Sequence, residues 1–317
     1  MEICELQRSE TPMWVRRLMD RPDASRRWQV SGLRASSVER GAFSLTEIVL
    51  PNARAMSPDV FRGEVQRAYE LALETLSACR ASHAVRWWNF VPGINRDAGD
   101  GLDWYMVFNA GRHAAMQRRY GANEFGRQLA TASGVGSHGD DFVVQVLGST
   151  RPGQPLENPR QIPAYNYSES YGPLPPCFAR ATGLGHAEHD AMRGTLLIGG
   201  TASIVGEKTQ HLGNIDGQME ETLRNMAHLL AAGCGAAAED RVLRHIEEVR
   251  VYVVRQEDRA GIIDALAARM TGLKRMEVIH ADLCRPCLLV EVEAVTGPGL
   301  LASMNQRGAA GQRLATA

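Results

Sequence analysis

Apolar and polar residues alternate along several short stretches of this chain, and each such stretch predicts a strand. In the first half these are Phe43 to Pro51 (FSLTEIVLP), Ala84 to Ile94 (AVRWWNFVPGI) and Asp141 to Ser149 (DFVVQVLGS). In the second half they are Gly194 to Gly206 (GTLLIGGTASIVG), Ile246 to Val254 (IEEVRVYVV) and Leu288 to Ala294 (LLVEVEA). Between them the period turns helical. Ser57 reads as an N-cap and Pro58 as the first helical residue, with an apolar face through Val60, Val65, Leu71 and Leu76. Another helix begins near Asp103. In the second half Met219, Leu223, Met226 and Leu230 share a helical face that ends in glycine, and Arg259 to Met270 predicts one helix more. Each half therefore reads strand, helix, strand, helix, strand, as two copies of one α+β unit.

The proline-rich connector STRPGQPLENPRQIPAYNY divides them, which gives units 1–150 and 151–296. The opening residues, rich in Arg and Ser, show no clear pattern. Residues 297–317, small and glycine-rich, predict a loose tail.

The last strand raises a chemical question. Side chains two apart in a strand share a face, so Leu289, Glu291 and Glu293 line one side and Leu288, Val290 and Val292 the other. A solvated sheet face carries such acids routinely. The alternative is a glutamate in an apolar cleft with a raised pKa, ready to donate a proton.

Composition narrows the choice. A chain of 317 residues, 44% hydrophobic, is long enough for two cores of ordinary size. Net charge is −1 and the basic residues are scattered, so nothing marks a nucleic-acid partner or an anionic membrane surface. The acidic N-terminal stretch predicts no secretory signal, no apolar run approaches membrane-spanning length, and the cytoplasm is the expected compartment. Six cysteines in a chain of this size do not make a disulfide framework. Cys284 and Cys287 form a lone CxxC that leads into a strand, without the second pair or histidines a structural zinc needs, so no metal is expected and the role of Cys287 stays open.

Element order and the acidic last strand in the second half, through GPLPPCFARA, GGTAS, QMEETLRNMAHLLAAG, VRVYVV and LLVEVEA, resemble the YjgF/RidA-like fold. More specifically, WWNFVPGIN, FNAGR, FARAT and the long block GTASIVGEKTQHLGN resemble the chorismatases, from about Trp87 to Glu293. The resemblance implies two tandem YjgF/RidA-like (chorismate-mutase-like) domains, each a mixed sheet with helices on one face, the first of them degenerate. It also implies a cofactor-free enzyme that releases pyruvate from chorismate, as a monomer or a trimer.

That substrate carries two carboxylates, which planar guanidinium groups bind in pairs of hydrogen bonds. By resemblance Arg112 in FNAGR and Arg193 ahead of GTLLIGGTAS are the carboxylate-binding cations, against the alternative of solvated surface arginines. Protonating the methylene carbon of the enol ether requires a strong, well-placed acid. Glu291 matches the family's catalytic glutamate, with Glu293 either helping to hold its proton or facing water. Tyr165, with Tyr167 behind it, is expected to bind a substrate carboxylate or ring hydroxyl; packing at the domain junction is the alternative. Thr201 and Ser203 offer hydroxyls, Gly199 and Gly200 leave room for a ligand, and Glu207 and His211 belong to the same block, His211 as a shuttle or a structural histidine.

Two positions bear on the product. Cys284 matches the cysteine of family members that make 3-hydroxybenzoate, through attack of the ring hydroxyl and an epoxide-like intermediate. Ala202 resembles the alanine of members that add water and give a dihydrodiol. A cysteine changes chemistry where an alanine changes only volume, so the sequence favours 3-hydroxybenzoate; a small buried hydrophobe is the bland reading of Cys284. Outside this class stand a RidA-like imine deaminase and a non-catalytic metabolite binder.

Overall fold

The computed structural model describes residues 1–6, 11–121, 125–185, 192–235 and 240–301. The chain opens with a strand, β1 (Glu2–Leu6), and a short helix, α1 (Met13–Leu18). Strands β2 (Ala24–Val30), β3 (Leu33–Arg40), β4 (Phe43–Leu50), β5 (His83–Pro92), β6 (Thr131–Ser137) and β7 (Phe142–Ser149) then form one sheet in the order β2-β3-β4-β7-β5-β6. It is mixed, antiparallel apart from the parallel pair β5–β6. Helices α2 (Pro58–Ser77) and α3 (Trp104–Tyr120) cover one face through Phe61, Val65, Tyr69, Trp104 and Phe108.

The second sheet contains β8 (Gln154–Leu156), β9 (Ala181–Leu184), β10 (Thr195–Thr201), β11 (Ile246–Val253), β12 (Arg275–His280) and β13 (Val290–Thr296). Its order is β1-β12-β11-β13-β10-β9-β8. β12 runs parallel to both of its neighbours, β1 and β11, and the other pairings are antiparallel. Helices α4 (Ile215–Cys234) and α5 (Arg259–Arg269) cover its outer face, with Met219, Leu223, Met226 and Leu230 all buried as their spacing predicts.

The uncovered faces of the two sheets pack on each other. Trp88, Phe90, Val135 and Leu147 from the first meet Leu197, Tyr252, Ile279 and Ala202 from the second, and an apolar core fills the seam. The layers run helix, sheet, sheet, helix, which is the expected α+β architecture of two mixed sheets, each with helices on one face.

The described opening residues form regular elements where the sequence shows no pattern. β1 pairs with β12, deep in the second half of the chain, so the first strand lies outside the sheet to which the rest of 1–150 belongs. β2 is solvated at nearly every position, which removes the alternation that marks a strand; a turn at Ser31–Gly32, with φ of 48° and 86°, closes its hairpin with β3. On α2 Val65 and Leu76 are buried as their spacing predicts and Leu71 is half-buried, but Val60 is 52% exposed and Phe61 takes its place on the inward face. Residues 297–301 are not loose. Leu300 is buried, and the N–H groups of Gly299 and Leu301 donate to the carbonyls of Arg193 and Gly194 at 2.7 and 3.0 Å. The rest of the expected tail, 302–317, lies outside the described residues.

Candidate active site

On β13, Val290, Val292 and Ala294 point to the helices, and Glu291 and Glu293 point into the seam between the sheets. Both glutamates are 4% exposed. The solvated-face alternative therefore falls, because a second sheet covers this one.

The two acids have opposite surroundings. Glu293 is surrounded by donors: Arg86 Nη2 lies 3.1 Å from Oε2, Trp88 Nε1 donates to Oε2 at 3.0 Å, and the Tyr252 hydroxyl donates to Oε1 at 3.0 Å. Burial opposes its charge, but Arg86 and Arg250 prevail and hold its carboxyl below the usual range. Glu291 faces a cavity of about 180 Å3, room for a small organic molecule. Burial first, and the Glu293 charge second, push its carboxyl up to about 8, against the pull of Arg86 and Arg180. At neutral pH the proton belongs to Glu291.

Local backbone makes room for this carboxyl. The pairing of β10 with β13 shifts register between Ile198 and Thr201, around Gly199 and Gly200. A β-carbon on Gly199 would lie 2.9 Å from Thr131 Cγ2 and 3.0 Å from the Ala132 carbonyl, so this glycine lets the sheets approach. A β-carbon on Gly200 would overlap Glu291 Oε1.

Three arginines surround the cavity. Arg112, on α3, is 1% exposed; Nη2 donates to Asn109 Oδ1 at 2.7 Å and Nε is buried with no hydrogen-bond partner. Arg180, just before β9, donates to the Tyr167 hydroxyl at 2.6 Å, and its Nε is likewise unpartnered. Arg285 donates to the Glu207 carbonyl at 2.7 Å and lies 4.0 Å from the centre of the Tyr171 ring. Among the described residues none of the three has a carboxylate within ion-pair distance. Burying cations without counter-charge is unfavourable, so the cavity suits an anionic ligand. Tyr105, Tyr167, Tyr171 and Phe178 add aromatic walls, and Cys284 and Ala202 lie on the same cavity. Burial, reinforced by Glu291, pushes the Cys284 thiol up to about 12, so it stays protonated.

Several expected residues stand elsewhere. Arg193 is exposed, in the turn before β10, and does not line the cavity; Arg180, in the FARA stretch, and Arg285 stand there instead. Tyr165 packs its ring on Gly126, whereas Tyr167 and Tyr171 reach the cavity. Thr201 and Ser203 turn their hydroxyls to the carbonyls of Gly199 and Gln210. The Glu207 carboxylate holds the N–H and hydroxyl of Ser168, at 2.9 and 2.8 Å, and so anchors the segment that carries Tyr167 and Tyr171. His211 sits at the start of α4, 3.6 Å from Glu221. Arg86 and Ser133 were missed. An arginine among the apolar residues of AVRWWNFV was the available signal for the first.

A family model described as "Chorismatase FkbO/Hyg5-like, N-terminal" matches residues 24–148. A 3-hydroxybenzoate synthase of Streptomyces hygroscopicus is 34% identical over 232 residues, 72% of this chain and 67% of that protein. The chain belongs to the chorismatase family. A chorismatase of the same organism is 38% identical over 219 residues, 66% of this chain and 60% of that protein, so the match spans about three fifths of its length. A chorismatase crystal structure superposes with a TM-score of 0.72 at 30% identity, covering 87% of this chain and 80% of the other. The chorismatase fold accounts for the face-to-face sheets, and no helix among the described residues is long and apolar enough to cross a membrane.

Proposed function

We propose that this chorismatase releases pyruvate from chorismate, with 3-hydroxybenzoate as the ring product. The observation that carries the reading is a buried glutamate, its carboxyl pushed up to about 8, facing a cavity walled by three arginines that among the described residues have no carboxylate within ion-pair distance. Arg112, Arg180 and Arg285 bind the two substrate carboxylates. Glu291 gives its proton to the methylene carbon of the enolpyruvyl ether, which becomes a methyl group and leaves the ether carbon electron-poor. The neighbouring ring hydroxyl attacks the ring carbon that bears the ether oxygen and passes its proton to the Glu291 carboxylate, restoring the acid, as the carbon–oxygen bond breaks to free pyruvate. The epoxide so formed opens, and loss of a ring proton restores aromaticity. Atoms balance without water, and an acid that is a side chain calls for no cofactor.

Cys284, on the cavity wall with Glu291, supports the 3-hydroxybenzoate outcome, as does the name borne by the 34% identical relative. Ala202 on the same wall favours a second reading, in which water attacks instead and the product is a dihydrodiol. All six cysteines are free, in keeping with a reducing cytoplasm. The test is incubation with chorismate alone, with pyruvate followed by a coupled assay and the ring product resolved by chromatography and mass. Absence of pyruvate would overturn the proposal.

A further inference from the structure

Ser133, on β6 and 4% exposed, stands where the two sheets meet behind the acid. Its Oγ accepts a hydrogen bond from Arg86 Nη2 at 2.6 Å and another from the Gly200 N–H at 2.9 Å. A hydroxyl has two acceptor positions and one proton. With both acceptors occupied, the proton is left to donate, and the Ser133 hydroxyl is, after Arg86 and Arg250, among the groups that hold the Glu293 carboxyl below its usual range. The backbone beneath is fixed as well: the Ser133 carbonyl accepts from Asn89 Nδ2 at 2.9 Å, and Asn89 Oδ1 in turn accepts from the Tyr69 hydroxyl.

One oxygen thus touches three parts of the site. It holds the guanidinium that pairs with Glu293, helps keep the Glu293 carboxyl low, and pins the strand on which Gly200 makes room for the Glu291 carboxyl. Two carboxylates this close on one strand face share a proton, and the one with more donors becomes the anion. Glu293 has Arg86, Trp88 and Tyr252, whereas among the described residues no hydrogen-bond donor reaches the Glu291 carboxyl.

Resting on the reading of Glu291 as the acid, we infer that Ser133 is a positioning residue of the reaction: its hydroxyl keeps Glu293 the ionised member of the pair and fixes Gly200 against Glu291, so that the proton stays on the carboxyl facing the cavity. The unit that carries neither Glu291 nor Glu293 thereby helps decide which of the two is the acid.

Two readouts test this. In pyruvate release from chorismate, Ser133→Ala lowers kcat about tenfold or more with KM changed less than about twofold, and Ser133→Thr, which keeps a hydroxyl, restores most of the rate. In the ligand-free protein at neutral pH, the infrared difference between wild type and Glu291→Gln isolates the carbonyl band of the protonated Glu291. That band falls to about half or less in the Ser133→Ala background and persists in Ser133→Thr, as a transfer of the proton within the pair requires. A Ser133→Ala protein with wild-type kcat and an undiminished band overturns the inference. Should Ser133→Ala not fold, Ser133→Cys keeps the volume, weakens both the donor and the acceptor, and is expected to behave the same way. If wild type itself releases no pyruvate, the functional reading fails, and the infrared band alone decides the role of Ser133.

Discussion

The carboxyl of Glu291 lies over the α-carbon of Gly200 so closely that a β-carbon there would overlap Oε1. Gly200→Ala therefore displaces the acid without touching its chemistry. A misplacement of about 1 Å in a reacting group lowers rates by roughly a hundredfold, and a loss of that order in kcat/KM for pyruvate release is expected. A variant with the wild-type rate would show that the position of Glu291 is not critical.

Glu291→Gln removes the transferable proton and keeps the shape. Turnover should fall by about 10²–10⁴-fold, the usual worth of a general acid, while calorimetry should find chorismate still bound. Retained turnover would move the acid elsewhere.

The raised pKa of Glu291 also sets a pH dependence. Its folded value is about 8 against an ordinary 4.5, so between those values the native protein keeps a proton that the unfolded chain has lost. The stabilisation that proton provides is complete below about 4.5 and disappears as pH rises through about 8. Activity should decline over the same alkaline limb. Thermal melts at pH 5 and pH 9 should find Glu291→Gln gaining stability relative to wild type as pH rises; a constant difference would mean that Glu291 is not protonated at neutrality.

Arg180→Ala should raise KM for chorismate by about tenfold or more, since charge-assisted bonds to a carboxylate are among the stronger polar contacts. Arg193→Ala, on the exposed turn, should leave KM unchanged. The opposite result would restore the assignment that the sequence suggested.

Cys284→Ala should shift product from 3-hydroxybenzoate towards the dihydrodiol if the thiol on the cavity wall steers the intermediate. Chromatography of the ring products reads the ratio directly, and an unchanged ratio would remove Cys284 from the mechanism.

Much of this was legible in the sequence, and the limits have physical causes. The strand LLVEVEA and the helix from Ile215 carry clean periods, so their elements and their inward faces could be read from spacing alone. That Glu291 and Glu293 share a face followed from the pleat; that the face is buried did not, because the cover comes from β5 and β6, more than 150 residues away. β2 was invisible because nearly all its side chains are solvated. Arg180 and Arg193 look alike in sequence, and only the fold separates a cavity wall from a surface turn. Tyr165 and Tyr167 differ by two residues, but Tyr165 lies within a short 3-10 turn, Ala164–Asn166, and Tyr167 just after it, and only the second phenol lines the cavity.

The pairing of β1 with β12 joins Glu2 to Arg275 and Leu6 to Ile279. On a ribosome, β1 has no neighbour until β12, far along the chain, has been made. Contacts of such long sequence separation are slow to form, because a large loop must close before they contribute. The first sheet can assemble early from neighbouring segments, but the second waits for its edge until β1 returns to it. Maturation of this sheet should therefore end with the tying of β1 to β12.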